Sequence, residues 1–138
     1  MEIKYEVPKE YADLYEKEVK ELVEKYKGIK NKNKLFKAVD SEIEKFIKNS
    51  DVLTIINLAT YAWEREMKIN KDVVVNTLKS NPNFPMDENF FDYIKNSFLY
   101  PYDLLLLYSL VLLSSLLLFS VIKEINPDLL FVPEEDAE

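Results

Sequence analysis

Residues Leu104 to Ile122 read LLLLYSLVLLSSLLLFSVI, nineteen positions without a charge, closed by Asp103 on one side and Lys123-Glu124 on the other. Its polar groups are Tyr108, Ser109, Ser114, Ser115 and Ser120. At 100° per residue Ser109 and Ser120 share a face, while Ser114 and Ser115 point away from it, so there is no polar stripe. A helix apolar all round must be surrounded by protein or by lipid. The fold turns on which.

In the membrane reading the run is about 28 Å long, against roughly 30 Å of bilayer hydrocarbon. Tyr100 and Tyr102 would sit at a headgroup interface. Residues 1–100 would form a head and 104–122 a C-terminal anchor. The flanks, however, lack the Lys and Arg clusters that fix orientation, since Lys123 stands beside Glu124. In the soluble reading the run is a central helix wrapped by shorter amphipathic ones, and its hydroxyls bond back to carbonyls one turn earlier. The hundred residues before it supply several apolar faces that need a common partner. That favours protein burial.

Those faces are read from spacing. Tyr11, Leu14, Tyr15, Val19, Leu22, Val23 and Tyr26 recur at three- and four-residue steps, which predicts a helix over about 8–27. Pro8 suits its first position, and Gly28 suits a C-terminal cap. Leu35, Phe36, Val39, Ile43, Phe46 and Ile47 define a second helix over about 33–49. Ser50 or Asp51 caps a third, lined by Val52, Ile55, Ile56, Ala59, Ala62 and Trp63, to about Lys68. Asn70 caps a short helix carrying Val73, Val74, Thr77 and Leu78. SNPNFPMD, residues 80–87, is a loop, and Asp87 caps a helix over 88–98. Pro101 separates that helix from the apolar one. Pro127 and Pro133 bracket a short apolar piece, with a flexible acidic tail at 134–138.

The expectation is therefore an all-α fold in one domain, residues 1–133. About four long helices and some short ones form a bundle, with the apolar helix (about 102–125) at its centre. The single Gly argues against a β-rich chain full of tight turns. At 138 residues the chain is long enough to bury a core without disulfides. The charged start MEIKYEVPKEY is not a secretory signal. The cytoplasm is the expected location, membrane anchoring the alternative.

Composition excludes much chemistry. The chain has no Cys and no His, which removes thiol catalysis, thiolate metal sites, triad hydrolysis and Glu-x-x-His metal bundles. One Gly cannot build a phosphate loop. Ser114 and Ser115 have no Lys nearby in sequence for a Ser–Lys dyad. Glu64, Arg65 and Glu66, like Asp40 and Glu44, read as solvated helix faces. No cofactor, no metal and no catalytic residue is expected. Trp63 and the nine Tyr read as core or interface. Absent Gln with abundant Lys and Glu fits a thermophilic source, although eleven Asn argue the other way.

The net charge of −7 is unevenly placed. Residues 1–48 carry twelve Lys and eleven acids, whereas 124–138 carry six acids and no base. Nucleic acid is not an expected partner, because phosphate neutralisation supplies that affinity. Within the first of these segments lies KYKGIKNKNKLFK, residues 25–37, in which Lys25, Lys27, Lys30, Lys32, Lys34 and Lys37 make a candidate basic contact surface. A solvated turn is the plainer reading. The functional expectation is a non-enzymatic protein–protein interaction module, self-associating as a homodimer. The alternatives are the membrane protein above and an acidic inhibitor of a partner enzyme.

Overall fold

The computed structural model describes residues 6–81, 83, 84, 86, 88–95 and 102–130. It is all-α, with no strand among the described residues. Five helices follow in order: α1 (Lys9–Tyr26), α2 (Lys32–Lys48), α3 (Val52–Ser80), α4 (Glu88–Lys95) and α5 (Tyr102–Ile125). A 3-10 turn, Pro127–Leu130, closes the described chain. The expected helical bundle is the observed one. The expected tail at 134–138, the break at Pro101, the cap at Asp87 and the last turn of the 88–98 helix lie outside the described residues.

Local chemistry sets the boundaries. The Asn31 carboxamide accepts from the Lys34 amide at 3.0 Å and opens α2. Asp51, not Ser50, opens α3, accepting from the Thr54 amide at 2.8 Å. The Ser50 hydroxyl instead donates back to the Phe46 carbonyl at 2.9 Å. Pro8 stands one residue ahead of its expected place, as the cap of α1. Gly28 is not a left-handed cap: α1 ends through Lys27 in right-handed geometry, bonded to Val23. No position there needs a residue without a side chain.

Asn70 breaks α3 in two. Its backbone is extended (φ −163°, ψ 90°), and its carboxamide accepts from the Val73 amide at 3.2 Å. The second segment therefore starts on its own cap, as the sequence indicates. Val74, Thr77 and Leu78 of that segment are buried. Asn81, 8% exposed, ends it and ties distant chain together. Its amide nitrogen reaches the Leu130 carbonyl at 3.4 Å, and its oxygen accepts from the Asn83 amide at 2.9 Å.

The apolar helix is the common partner: α5 packs against α1, α2 and α3, and α3 shares the largest interface with it. From Leu112 to Ile122 every residue but Ser114 is buried. Leu113, Leu116 and Leu117 are fully enclosed, each contributing about 1.5–3 kcal/mol of apolar burial. Phe84 wedges between Phe36 and Phe119, with centroids at 6.0 and 6.1 Å. Phe90 of α4 meets Tyr108 at 5.5 Å, and Phe91 meets Trp63 at 6.2 Å. The first two turns of α5 are covered less. Leu107 is 52% exposed, and Leu104, Leu105, Leu106, Leu110 and Val111 are partly so.

Candidate functional site

The apolar helix carries a polar knot near its end. Ser120 and Lys123 lie three residues apart, hence on one face of α5. Both reach one carboxylate, that of Glu66 on α3, which is fully buried. The Ser120 hydroxyl donates to Oε2 at 2.6 Å, and the Lys123 ammonium donates to Oε1 at 2.5 Å. Arg65 also donates to Oε2 of Glu66. The Arg65 guanidinium then forks onto Glu16 of α1, with Nε at 2.7 Å and Nη2 at 3.2 Å. The Tyr61 hydroxyl donates to the same Glu16 carboxylate at 2.6 Å.

Tyr15 of α1 completes the knot. Ser120 spends its proton on Glu66, so its oxygen accepts, from Arg65 at 3.2 Å and from the Tyr15 hydroxyl at 2.7 Å. The Tyr15 proton also lies 3.1 Å, donor to acceptor, from the Leu116 carbonyl. The proton order is thus Tyr15 to Ser120 to Glu66. The Arg65 guanidinium also lies 5.6 Å from the Tyr15 ring centre. Two carboxylates, Glu16 and Glu66, meet two cations, Arg65 and Lys123, and the seam is neutral.

The titration behaviour follows from this geometry. Burial alone would raise Glu16, but hydrogen bonds from Arg65 and Tyr61 outweigh it and hold the carboxyl below its usual range. Burial, with help from Glu16, pushes Tyr61 up to about 12. Tyr15 is pushed up further still, again chiefly by burial. Burial opposes the charge on Arg65, and Glu16 and Glu66 more than restore it.

This is the feature the sequence reading missed. It placed Arg65 and Glu66 on a solvated face, yet Glu66 is 0% exposed because Ser120 and Lys123 of α5 meet it from another helix. The available signal was Ser120 and Lys123 themselves, the polar end of an apolar run facing the chain's only Arg. Two hydroxyls of α5 depart from the back-bonding expectation. Ser120 bonds across the interface, and the buried Ser115 hydroxyl has no partner among the described residues.

The six lysines singled out by sequence are not held alike. Lys25 bonds Glu42 at 2.7 Å, sharing that carboxylate with the Tyr26 hydroxyl at 2.6 Å. Their hydrogen bonds keep the Glu42 carboxyl low. Lys27 pairs with Glu24 at 3.0 Å, and Lys32 lies 5.8 Å from the Phe36 ring centre. Lys30, Lys34 and Lys37 face solvent.

The Ser120 hydroxyl is fully buried, and its acceptor Glu66 is also bonded by Arg65 and Lys123. A cleft of about 420 Å³ adjoins the Glu16–Arg65 pair, lined by Val19, Lys20, Val23, Glu24 and Glu124. No group of three or more acidic residues among the described residues is placed to hold a metal ion. No protein-family model, no curated protein and no solved structure matches the chain.

Proposed function

We propose that this chain is a non-enzymatic protein–protein interaction module that pairs with a second copy of itself. One observation carries the reading: the central helix is finished at one end and unfinished at the other. Leu107 is 52% exposed in a run without charges, flanked by partly exposed Leu104, Leu106, Leu110 and Val111. Leu53 and Ile69 of α3 are exposed as well, but on α5 the exposed leucine has partly exposed apolar neighbours along one uncharged run, and such grouped apolar surface marks an association site. A two-fold axis lets one patch cover its own copy. The acidity of the chain and the absence of Cys and His support a protein partner over nucleic acid or covalent chemistry. The cytoplasm is the compartment proposed.

The test is association in detergent-free buffer. Sedimentation of the purified chain over a range of concentrations should give a dimer, and Leu107→Lys should weaken it at least tenfold, a loss of about 1.4 kcal/mol or more. A monomer at all concentrations would sink the reading. A second reading retains the membrane: Asp103–Ile125 is long and apolar enough to cross one.

A further inference from the structure

The helix with the dimensions of a membrane span is attached to the bundle by apolar packing and, near its end, by the polar seam. Its uncharged run, 104–122, matches the roughly 30 Å hydrocarbon thickness, with Asp103 and Lys123 marking the two ends. The seam sits at the second of those ends. The charged and titratable groups bonded within it are Tyr15 and Glu16 of α1, Tyr61, Arg65 and Glu66 of α3, and Lys123 of α5. Lys20, Glu24 and Glu124 line the cleft beside it. Its neutrality depends on both carboxylates being ionised.

We propose that the seam is an acid-released latch: when acid neutralises the carboxylates that face Arg65 and Lys123, α5 leaves the bundle and inserts into a lipid bilayer. The protons come from solvent, and no covalent bond changes. Protonation removes both negative charges and leaves Arg65 and Lys123 in a partly buried seam without counter-ions, side chains only 17% and 23% exposed. A half-buried cation that loses its partner drives the seam apart. The freed helix carries nothing that resists lipid. Lys123, at the end of the run, reaches the headgroups, and serine hydroxyls out of water bond back to their own helix. Length favours lipid over a second copy as the new host, since a protein partner does not require a 28 Å uncharged run (about 1.5 Å per residue). The inference does not rest on self-association, because the latch lies more than a dozen residues from Leu107.

The chain has no cysteine, so Ser114→Cys provides one thiol in the middle of α5 for an environment-sensitive fluorophore. The labelled chain is mixed with phosphatidylcholine vesicles carrying an acyl-chain quencher, and the pH is lowered from about 7 to about 2, through and below the ordinary glutamate range, because Glu16 is held low. Quenching is expected to be absent at the start and to rise several-fold on acidification. Glu16→Gln and Glu66→Gln should each move the midpoint upward, by about half a pH unit or more. Glu10→Gln, on an exposed carboxylate outside the seam, should leave it in place. Should Glu66→Gln fail to fold, Glu16→Gln carries the test. The proposal is overturned if the label stays unquenched at low pH, whether the chain remains folded or merely self-associates. It is equally overturned if quenching is the same at both pH values, or if Glu10→Gln shifts the midpoint as far as Glu16→Gln.

Discussion

Glu66 accepts a hydrogen bond from Ser120 at 2.6 Å and another from Lys123 at 2.5 Å, two residues one turn apart on the apolar helix. Leucines on every side give α5 no preferred rotation, because any face packs about as well. The bidentate attachment supplies one. A slip of one residue turns α5 by about 100° and carries both donors away from the carboxylate. Polar groups buried among apolar ones can fix register in this way, whatever their net contribution to stability.

Removing the carboxylate tests this. Glu66→Ala should cost about 3–5 kcal/mol in urea unfolding at neutral pH, since Arg65 and Lys123 lose their shared acceptor in a buried place. Lys123→Met should cost less, because its side chain is 23% exposed and the methylene stem is kept. A double-mutant cycle between Glu66 and Lys123 should return a clear coupling energy. A loss below about 1 kcal/mol for Glu66→Ala would place that residue in solvent.

Two substitutions on α5 separate its halves. Leu113→Lys puts an unpaired charge at a fully buried site and should prevent folding or cost several kcal/mol. Leu107→Lys falls on a half-exposed site and should change the stability of the isolated chain by less than about 0.5 kcal/mol. Thermal or urea denaturation of both variants, compared at one concentration, checks the contrast.

Asn81 offers a test away from the seam. It bonds the Leu130 carbonyl and the Asn83 amide from a position 8% exposed. Asn81→Leu should cost about 2 kcal/mol, the penalty for leaving buried partners unmade. Urea titration of this variant measures it.

Stability should be flat between about pH 5 and pH 10, because the chain has no His to titrate there. On the acid side Glu16 sits below its ordinary range in the folded state. Its contribution is therefore present above the unfolded value of about 4.3 and lost as pH falls through the lower folded value. Glu18 and Asp40 act in the opposite sense, their carboxyls pushed up chiefly by burial, and partly offset this loss. On the alkaline side Tyr61 is pushed up to about 12. Its contribution holds below the unfolded value of about 10 and is lost as pH rises through the folded one. Urea midpoints measured across this range should trace that plateau.

Much of the fold is legible in the residues. The three-and-four spacing of Tyr15, Val19 and Leu22 marks a buried stripe, and those residues are the buried ones of α1. Leu35, Phe36, Val39 and Ile43 do the same for α2. Asn70 announces the break in α3 because its carboxamide competes with the helix backbone for an amide. The seam is harder to read, because Glu66 looks like any helix-surface acid until another helix arrives at its side. Local spacing encodes which residues share a face of one helix. It does not encode which cation of a distant helix will meet them. The end of α1 differs for another reason: Gly28 suits a left-handed cap, and here the chain turns without one.

Amide hydrogen exchange along α5, in buffer free of detergent and lipid, bears most directly on the claim that the apolar helix is enclosed by its own bundle. The account predicts that amides 112–122 exchange only through global unfolding, among the slowest in the chain, while those at 104–108 exchange faster. A chain that stays dispersed only in detergent, or one whose 112–122 amides exchange as fast as the helix start, would contradict it.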